Sequence, residues 1–144
     1  MALIHASCVA IDGAGVLIRG PSGSGKSDLA LRLIDTGAIL VCDDYCEVSA
    51  VAGRLMAHAP EAISGQLEVR GFGIVRLAHV SSAPINLVVD LGEEKVIERM
   101  PEQSEAMIEG VSVAHLALDP RAASAAAKVR VALQAERIAP AVRS

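Results

Sequence analysis

Residues Gly20 to Ser27 read G-P-S-G-S-G-K-S and fit the spacing G-x-x-x-x-G-K-[S/T]. Each residue type in that pattern serves an anion. The glycines let successive backbone N–H groups turn inward around a phosphate. The helix that follows the loop adds its positive N-terminal end. The Lys26 ammonium can reach β- and γ-phosphates, and the Ser27 hydroxyl can ligate Mg²⁺. Gly20, Pro21, Ser22, Gly23, Ser24, Gly25, Lys26 and Ser27 are therefore candidate ATP-binding residues. The bland alternative is a glycine-rich turn with a chance lysine. Only three lysines occur in the chain, and one falls at this position.

Two adjacent carboxylates, Asp43 and Asp44, follow after one short segment. In phosphoryl transfer one carboxylate can position Mg²⁺ while another accepts the proton of an attacking hydroxyl. Two close carboxylates also repel, which can raise one pKa. The competing reading is one ordinary metal-binding acid with a neighbour that merely caps.

The elements around these residues explain how they meet. "LIHASCVAI" and "VLIR" read as strands, with "DGAG" as the turn between them. "SDLALRLIDTG" reads as a helix with Leu29, Leu33 and Ile34 on one face and Gly37 at its end. "AILVC" is a further buried strand. A helix over residues 28–36 would be about 14 Å long at 1.5 Å per residue. Strand, helix, strand is then a right-handed crossover with parallel strands. The glycine loop and the aspartate pair fall at one edge of the sheet, where ligands bind in open α/β folds. Downstream, "YCEVSAVAGRLMAHAP" reads as a hairpin turning at Gly53, and "LEVRGFGIVRL" as a strand interrupted at Gly71 and Gly73. "INLVVDL" is a strand, and "MIEGVSVAHLAL" supplies more. "DPRAASAAAKVRVALQAERIAP" reads as a helix capped by Asp119, with Pro120 in its first turn and Pro140 beyond its end. With no repeat and no long linker, residues 1–144 are expected to form one α/β domain, a mixed sheet with packed helices.

Composition narrows the function classes. Over 144 residues, 52% are hydrophobic and 21% charged, a globular balance. The net charge of −4 gives no footprint for nucleic acid. Tyr45 and Phe72 are the only aromatic residues, too few for a base-stacking platform. No apolar run is long enough for a membrane span. "MALIHASCVAIDG" shows no basic leader or cleavage pattern, so a cytoplasmic location is expected. Cys8, Cys42 and Cys46 are read as reduced thiols, because no second Cys/His pair follows with zinc spacing. His5 lies on an apolar strand, where a histidine is commonly a satisfied core residue. His58, His79 and His115 match no ligand spacing and are read as structural or exposed. Arg121, Lys128, Arg130, Arg137 and Arg143 form a basic C-terminal stretch. It is either a solvated face or a docking surface for an acidic partner.

Taken in order, several stretches resemble one family, the catalytic domain of bacterial HPr kinase/phosphorylase. They are "IHASCVAIDGAGVLIRGPSGSGKSDLALRLIDTGAILVCDD", "LEVRGFGIV", and "INLVVDL" followed by "IERM". The resemblance runs from about Ile4 to Leu118. It implies a fold similar to phosphoenolpyruvate carboxykinase and roles for matching positions. His5 resembles an active-site histidine, and Asp43 and Asp44 the acids that include the general base. Glu68 resembles a metal-binding acid beside Ser27, and Arg99 an active-site arginine. The implied reaction is ATP- and Mg²⁺-dependent phosphorylation of a serine on an HPr-like phosphocarrier, by a homo-oligomer. A reverse, phosphate-driven step also belongs to the family. The chain reads as a short form without the family's N-terminal domain. "LDPRAAS" replaces the late loop tied to the reverse step, which leaves that activity open. A small-molecule kinase and a non-catalytic nucleotide sensor are the competing readings.

Overall fold

The computed structural model describes residues 1–138. Apolar runs near the N-terminus form strands β1 (Ala2–Ile4), β2 (Ala6–Ile11) and β3 (Ala14–Arg19), then helix α1 (Lys26–Asp35) and strand β4 (Ile39–Cys42). Two hairpins follow, β5 (Cys46–Val51) with β6 (Arg54–His58), and β7 (Gln66–Val69) with β8 (Gly73–Arg76). The long strand β9 (Ser82–Leu91) leads to a third hairpin, β10 (Ser104–Ile108) with β11 (Val111–Leu118), and then to helix α2 (Ala125–Gln134).

One mixed sheet runs in the order β1-β5-β6-β9-β3-β2-β4, with β11 also beside β9 and β10 beyond it. Strand β9 holds it together. Its first residues pair antiparallel with β6, and its later residues pair in parallel with both β3 and β11. Gly15 sits where β3 shifts register against β9. A Cβ there would lie 2.4 Å from the Pro84 carbonyl oxygen, so this approach requires glycine. The β7–β8 hairpin is a separate two-stranded sheet.

Both faces of the main sheet are covered. On one, Val9, Ile18 and Leu87 pack with Leu29 and Leu33 of α1, Val129 of α2 and Leu67 of β7. On the other, Cys8, Leu17 and Val88 meet Val48, Leu55 and Val113. Strands covered on both sides lose polar alternation, and all six residues of β2 are indeed buried. Leu29 and Leu33 are fully buried, each worth roughly 1.5–3 kcal/mol of transfer free energy. Helix α1 closes with N–H bonds from Gly37 to Ile34 and from Ala38 to Leu33, both 3.0 Å, the paired bonds of a Schellman end.

The expected crossover has the right polarity but a different neighbour. Strand β2 runs antiparallel to both β3 and β4, so those two are parallel with β2 between them. Three expected elements differ from the structure. "LIHASCVAI" breaks at His5, because β1 pairs with β5 while β2 pairs with β3 and β4. "LEVRGFGIVRL" is a hairpin rather than an interrupted strand. It reverses through Arg70–Phe72, where the Phe72 N–H bonds the Val69 carbonyl at 2.9 Å. The last helix begins at Ala125, not beside Asp119. The Asp119 carboxylate instead accepts the backbone N–H groups of Arg121 and Glu94, each at 2.9 Å, and pairs with the Arg121 guanidinium. Pro140 and Arg143 lie outside the described residues. The basic stretch is not one free face either. Arg130 donates to the Leu33 carbonyl and to Thr36 Oγ1, and Arg137 donates to the Pro101 carbonyl. Among the described residues, no helix is long and apolar enough to cross a membrane.

Candidate active site

The glycine loop leaves β3 at Arg19 and enters α1 at Lys26, as the spacing requires. Gly23 and Gly25 adopt φ of +79° and +102°, left-handed values that side chains disfavour. Lys26 is buried, and its ammonium donates to the carbonyls of Gly20 (2.7 Å) and Pro21 (3.0 Å). Burial pushes the Lys26 pKa below the ordinary lysine value, against the pull of the Asp44 and Asp43 charges. Ser24 Oγ is buried within the loop and has no hydrogen-bond partner among the described residues. A hydroxyl left without a partner in a glycine loop suits an incoming phosphate oxygen.

The two aspartates have opposite surroundings. Asp43 is 4% exposed. Its Oδ1 accepts the hydroxyls of Ser7 (2.6 Å) and Ser27 (2.8 Å), and its Oδ2 accepts the Glu68 N–H (3.1 Å). Asp44 is exposed, with φ of +69°. Its Oδ1 lies 3.1 Å from His5 Nε2, and the His5 ring rests 5.2 Å from that of Tyr45. The break between β1 and β2 is what frees His5 to turn toward the acids. The Ala6 N–H to Asp44 carbonyl bond, 3.2 Å, closes this corner.

Cys42 and Cys46 are joined in a disulfide that brackets both acids. This corrects the expectation of reduced thiols for that pair. The Asp43–Tyr45 turn, with the Tyr45 N–H on the Asp43 carbonyl at 2.8 Å, brings the ends of β4 and β5 together. Only Cys8 is a free thiol, and burial pushes its pKa up to about 12.

The remaining expected residues divide. Glu68 reaches the cluster through its backbone, and its own side chain is exposed. Arg99 lines a cleft of about 550 Å³ with Leu116, Asp119 and Val131, and that cleft includes none of Lys26, Ser27, Asp43 or Asp44. Two features carried no sequence signal. Ser7 is a lone hydroxyl on an otherwise apolar strand, and only the fold puts it against Asp43. Behind the loop, Asp90 takes a two-pronged bond from Arg19 (2.9 and 2.8 Å) and a 2.8 Å bond from His115 Nε2. Ser104 Oγ meets the other ring nitrogen of His115 at 2.9 Å. His58 is likewise paired, with Glu47 at 2.6 Å.

The chain is similar to known proteins in sequence and in fold. The family model for the HPr Serine kinase C-terminal domain matches residues 1–138. HPr kinase/phosphorylase of Clostridium acetobutylicum is 41% identical over 99 residues, 64% of this chain and 33% of that protein. The Geobacillus thermodenitrificans enzyme of the same name is 38% identical over 115 residues, 72% of this chain and 37% of that protein. The chain thus spans roughly a quarter to a third of the length of such relatives. The solved structure of the Hpr(Ser) kinase/phosphatase from Coxiella burnetii superimposes with a TM-score of 0.82 at 26% identity, covering 93% of this chain and 95% of that one. Sequence and fold lead to one assignment: the chain belongs to the HPr Serine kinase C-terminal domain family.

Proposed function

We propose that this chain is the phosphoryl-transfer centre of an ATP- and Mg²⁺-dependent serine protein kinase that modifies an HPr-like phosphocarrier. The observation that carries this reading is the division of labour between adjacent acids. Asp43 is buried and bonded to the Ser27 hydroxyl of the loop, while Asp44 is exposed and held by His5. In this reading the loop amides, Lys26 and the Ser24 hydroxyl hold the phosphates. Ser27 Oγ and the carboxylates of Asp43 and Glu68 are hard oxygen donors, the kind Mg²⁺ takes. The metal would supply charge neutralisation on the β- and γ-phosphate oxygens.

Asp44 acts as the general base. It is the acid that faces solvent, where a protein serine can approach, and the His5 contact fixes its carboxylate. The serine oxygen forms a bond to the γ-phosphorus as the bond from that phosphorus to the β,γ-bridging oxygen breaks. The serine proton passes to Asp44, and ADP leaves. In the reverse direction a protonated Asp44 returns the proton to the departing serine while inorganic phosphate attacks. That reverse activity, a homo-oligomeric assembly, a cytoplasmic location and a nucleotide-facing role for Arg99 are parts of the same proposal.

The test is transfer of labelled phosphate from ATP to the HPr-like carrier of the same cell, with mass spectrometry to locate the site. Transfer to a serine is expected, with loss in Lys26→Ala. Asp44→Asn should keep ATP binding and lower turnover by about 10²–10⁴-fold, the usual worth of a general base. Unchanged turnover in Asp44→Asn would overturn the assignment of the base. Tight ATP binding without transfer to any carrier would favour a nucleotide sensor.

A further inference from the structure

We infer that the cleft beside α2 takes the nucleoside half of the nucleotide whose phosphates the Gly20–Ser27 loop holds. The inference rests on the kinase reading and adds where the base and ribose lie and what holds them. Strands β3, β9 and β11 are parallel neighbours, so their carboxyl ends lie along one edge. The loop leaves the end of β3, and the cleft opens at the end of β11, between α2 and the segment from Glu94 to Pro101.

The two share a wall. Asp119 lines the cleft, and the next residue, Pro120, lies against the loop: a Cβ placed on Gly25 would be 3.6 Å from the Pro120 side chain. Arg32 of α1 donates to the Pro120 carbonyl, which ties that wall to the helix carrying Lys26 and Ser27. Asp119 is in turn fixed by the Glu94 N–H from the opposite lip. A ligand anchored in the loop therefore has a prepared space one residue away.

The lining chemistry fits a nucleoside. The floor is aliphatic, with Ile97, Leu116 and Ala132, and Val131, 61% exposed, stands at its open side. The volume of about 550 Å³ lies in the small-molecule range of roughly 300–1,000 Å³. Glu98 and Lys128 on the rim supply an acceptor and a donor for ribose hydroxyls and base edges. Neither aromatic residue of the chain lines the cleft, so the base is held by aliphatic contact rather than by stacking.

Calorimetric titration of the chain with ATP and with inorganic tripolyphosphate, both with Mg²⁺, tests this. Tripolyphosphate uses the loop alone. ATP is expected to bind at least about tenfold more tightly, and Ala132→Gln, which fills the floor, should remove that advantage while changing tripolyphosphate affinity by less than about twofold. Val131→Gln, on the exposed side, gives the same reading should Ala132→Gln fold poorly. Equal affinities in the unaltered chain, or an ATP advantage that survives both variants, would overturn the inference and leave the loop assignment standing. Failure of both ligands to bind the unaltered chain would instead overturn the kinase reading, and this inference with it.

Discussion

Asp43 and Asp90 stand at matching places, each at the carboxyl end of a buried strand and each with several hydrogen bonds, yet their chemistry is opposite. The partners of Asp43 are two hydroxyls and a backbone amide, all neutral. Those bonds orient the carboxylate without cancelling its charge. The partners of Asp90 are the guanidinium of Arg19 and the imidazole of His115. The guanidinium already neutralises that carboxylate, which leaves it little to offer a metal ion or a proton donor. Two acids at strand ends therefore separate by what bonds them: neutral donors prepare a site, and a fixed cation makes a brace. The brace has its own place in the design, because it pins the root of the glycine loop to β9 and β11.

The largest effect should come from Asp43→Asn. The replacement is isosteric but removes the charge and puts an NH₂ group into a ring of donors. If its oxygen faces Ser7 and Ser27, its nitrogen faces the Glu68 N–H. Phosphoryl transfer should fall by about 10³-fold or more, since electrostatic positioning of the phosphates is the main catalytic term in such reactions. Stability should fall by about 1–3 kcal/mol, the cost of a buried donor left unpaired. A single experiment pairing the transfer assay with urea unfolding reads both. Near-normal transfer in this variant would erase the distinction between the two acids.

A smaller effect is expected from Cys46→Ser. The disulfide closes a loop of five residues, for which the chain-entropy relation gives about 2 kcal/mol at 25 °C. The loop it closes contains both Asp43 and Asp44, so turnover should fall along with stability. ATP affinity should hold, because the glycine loop is not part of that ring. Guanidinium unfolding with and without a reductant measures this, and a reductant should lower the stability of the unaltered chain but not that of Cys46→Ser. A reductant that left the unaltered chain as stable as before would show that the bond does not brace the acids.

Much of this comparison was legible in the residues, and the part that was not has a physical reason. The glycine loop, the helix after it and the acid pair lie within one crossover, where covalent spacing limits the geometry. That stretch behaves as expected apart from β2 standing between the parallel strands. Contacts across the sheet depend on register, which no local pattern encodes. Ser7 meets Asp43, and His115 meets Asp90, only because β2, β4, β9 and β11 are aligned as they are. "RGFG" carries two glycines that serve a bulge or a turn equally well, and the pairing of Gln66 with Arg76 and of Leu67 with Val75 decides for the turn. Asp119 precedes a proline and a run of alanines, which reads as a helix cap. Its carboxylate goes instead to Arg121 and to the Glu94 N–H, a partner 25 residues away. Arg99, matched by resemblance to an active-site arginine, lies in the cleft beside the phosphate loop rather than among the acids.

The smallest effect, and the sharpest on the comparison itself, comes from Asp90→Asn followed across pH. Burial pushes the Asp90 carboxyl up, but hydrogen bonds from Arg19 and His115 and the charges behind them outweigh it, so the carboxyl ends below the ordinary value of 3.8. A depressed carboxylate contributes stability above its unfolded-state pKa and loses it as pH falls. Near 3.8 the unfolded chain takes up a proton that the folded chain still refuses, and the gap closes at the lower, folded value. The unaltered chain should therefore exceed Asp90→Asn in stability by up to about 1 kcal/mol at pH 7, a figure kept small because the pair is only partly buried. The difference should shrink steadily below pH 3.8. Phosphoryl transfer at pH 7 should change by less than about tenfold, since a brace acts on the loop's root and not on the reacting atoms. A loss of transfer as large as that of Asp43→Asn would move Asp90 from the frame of the site into its chemistry.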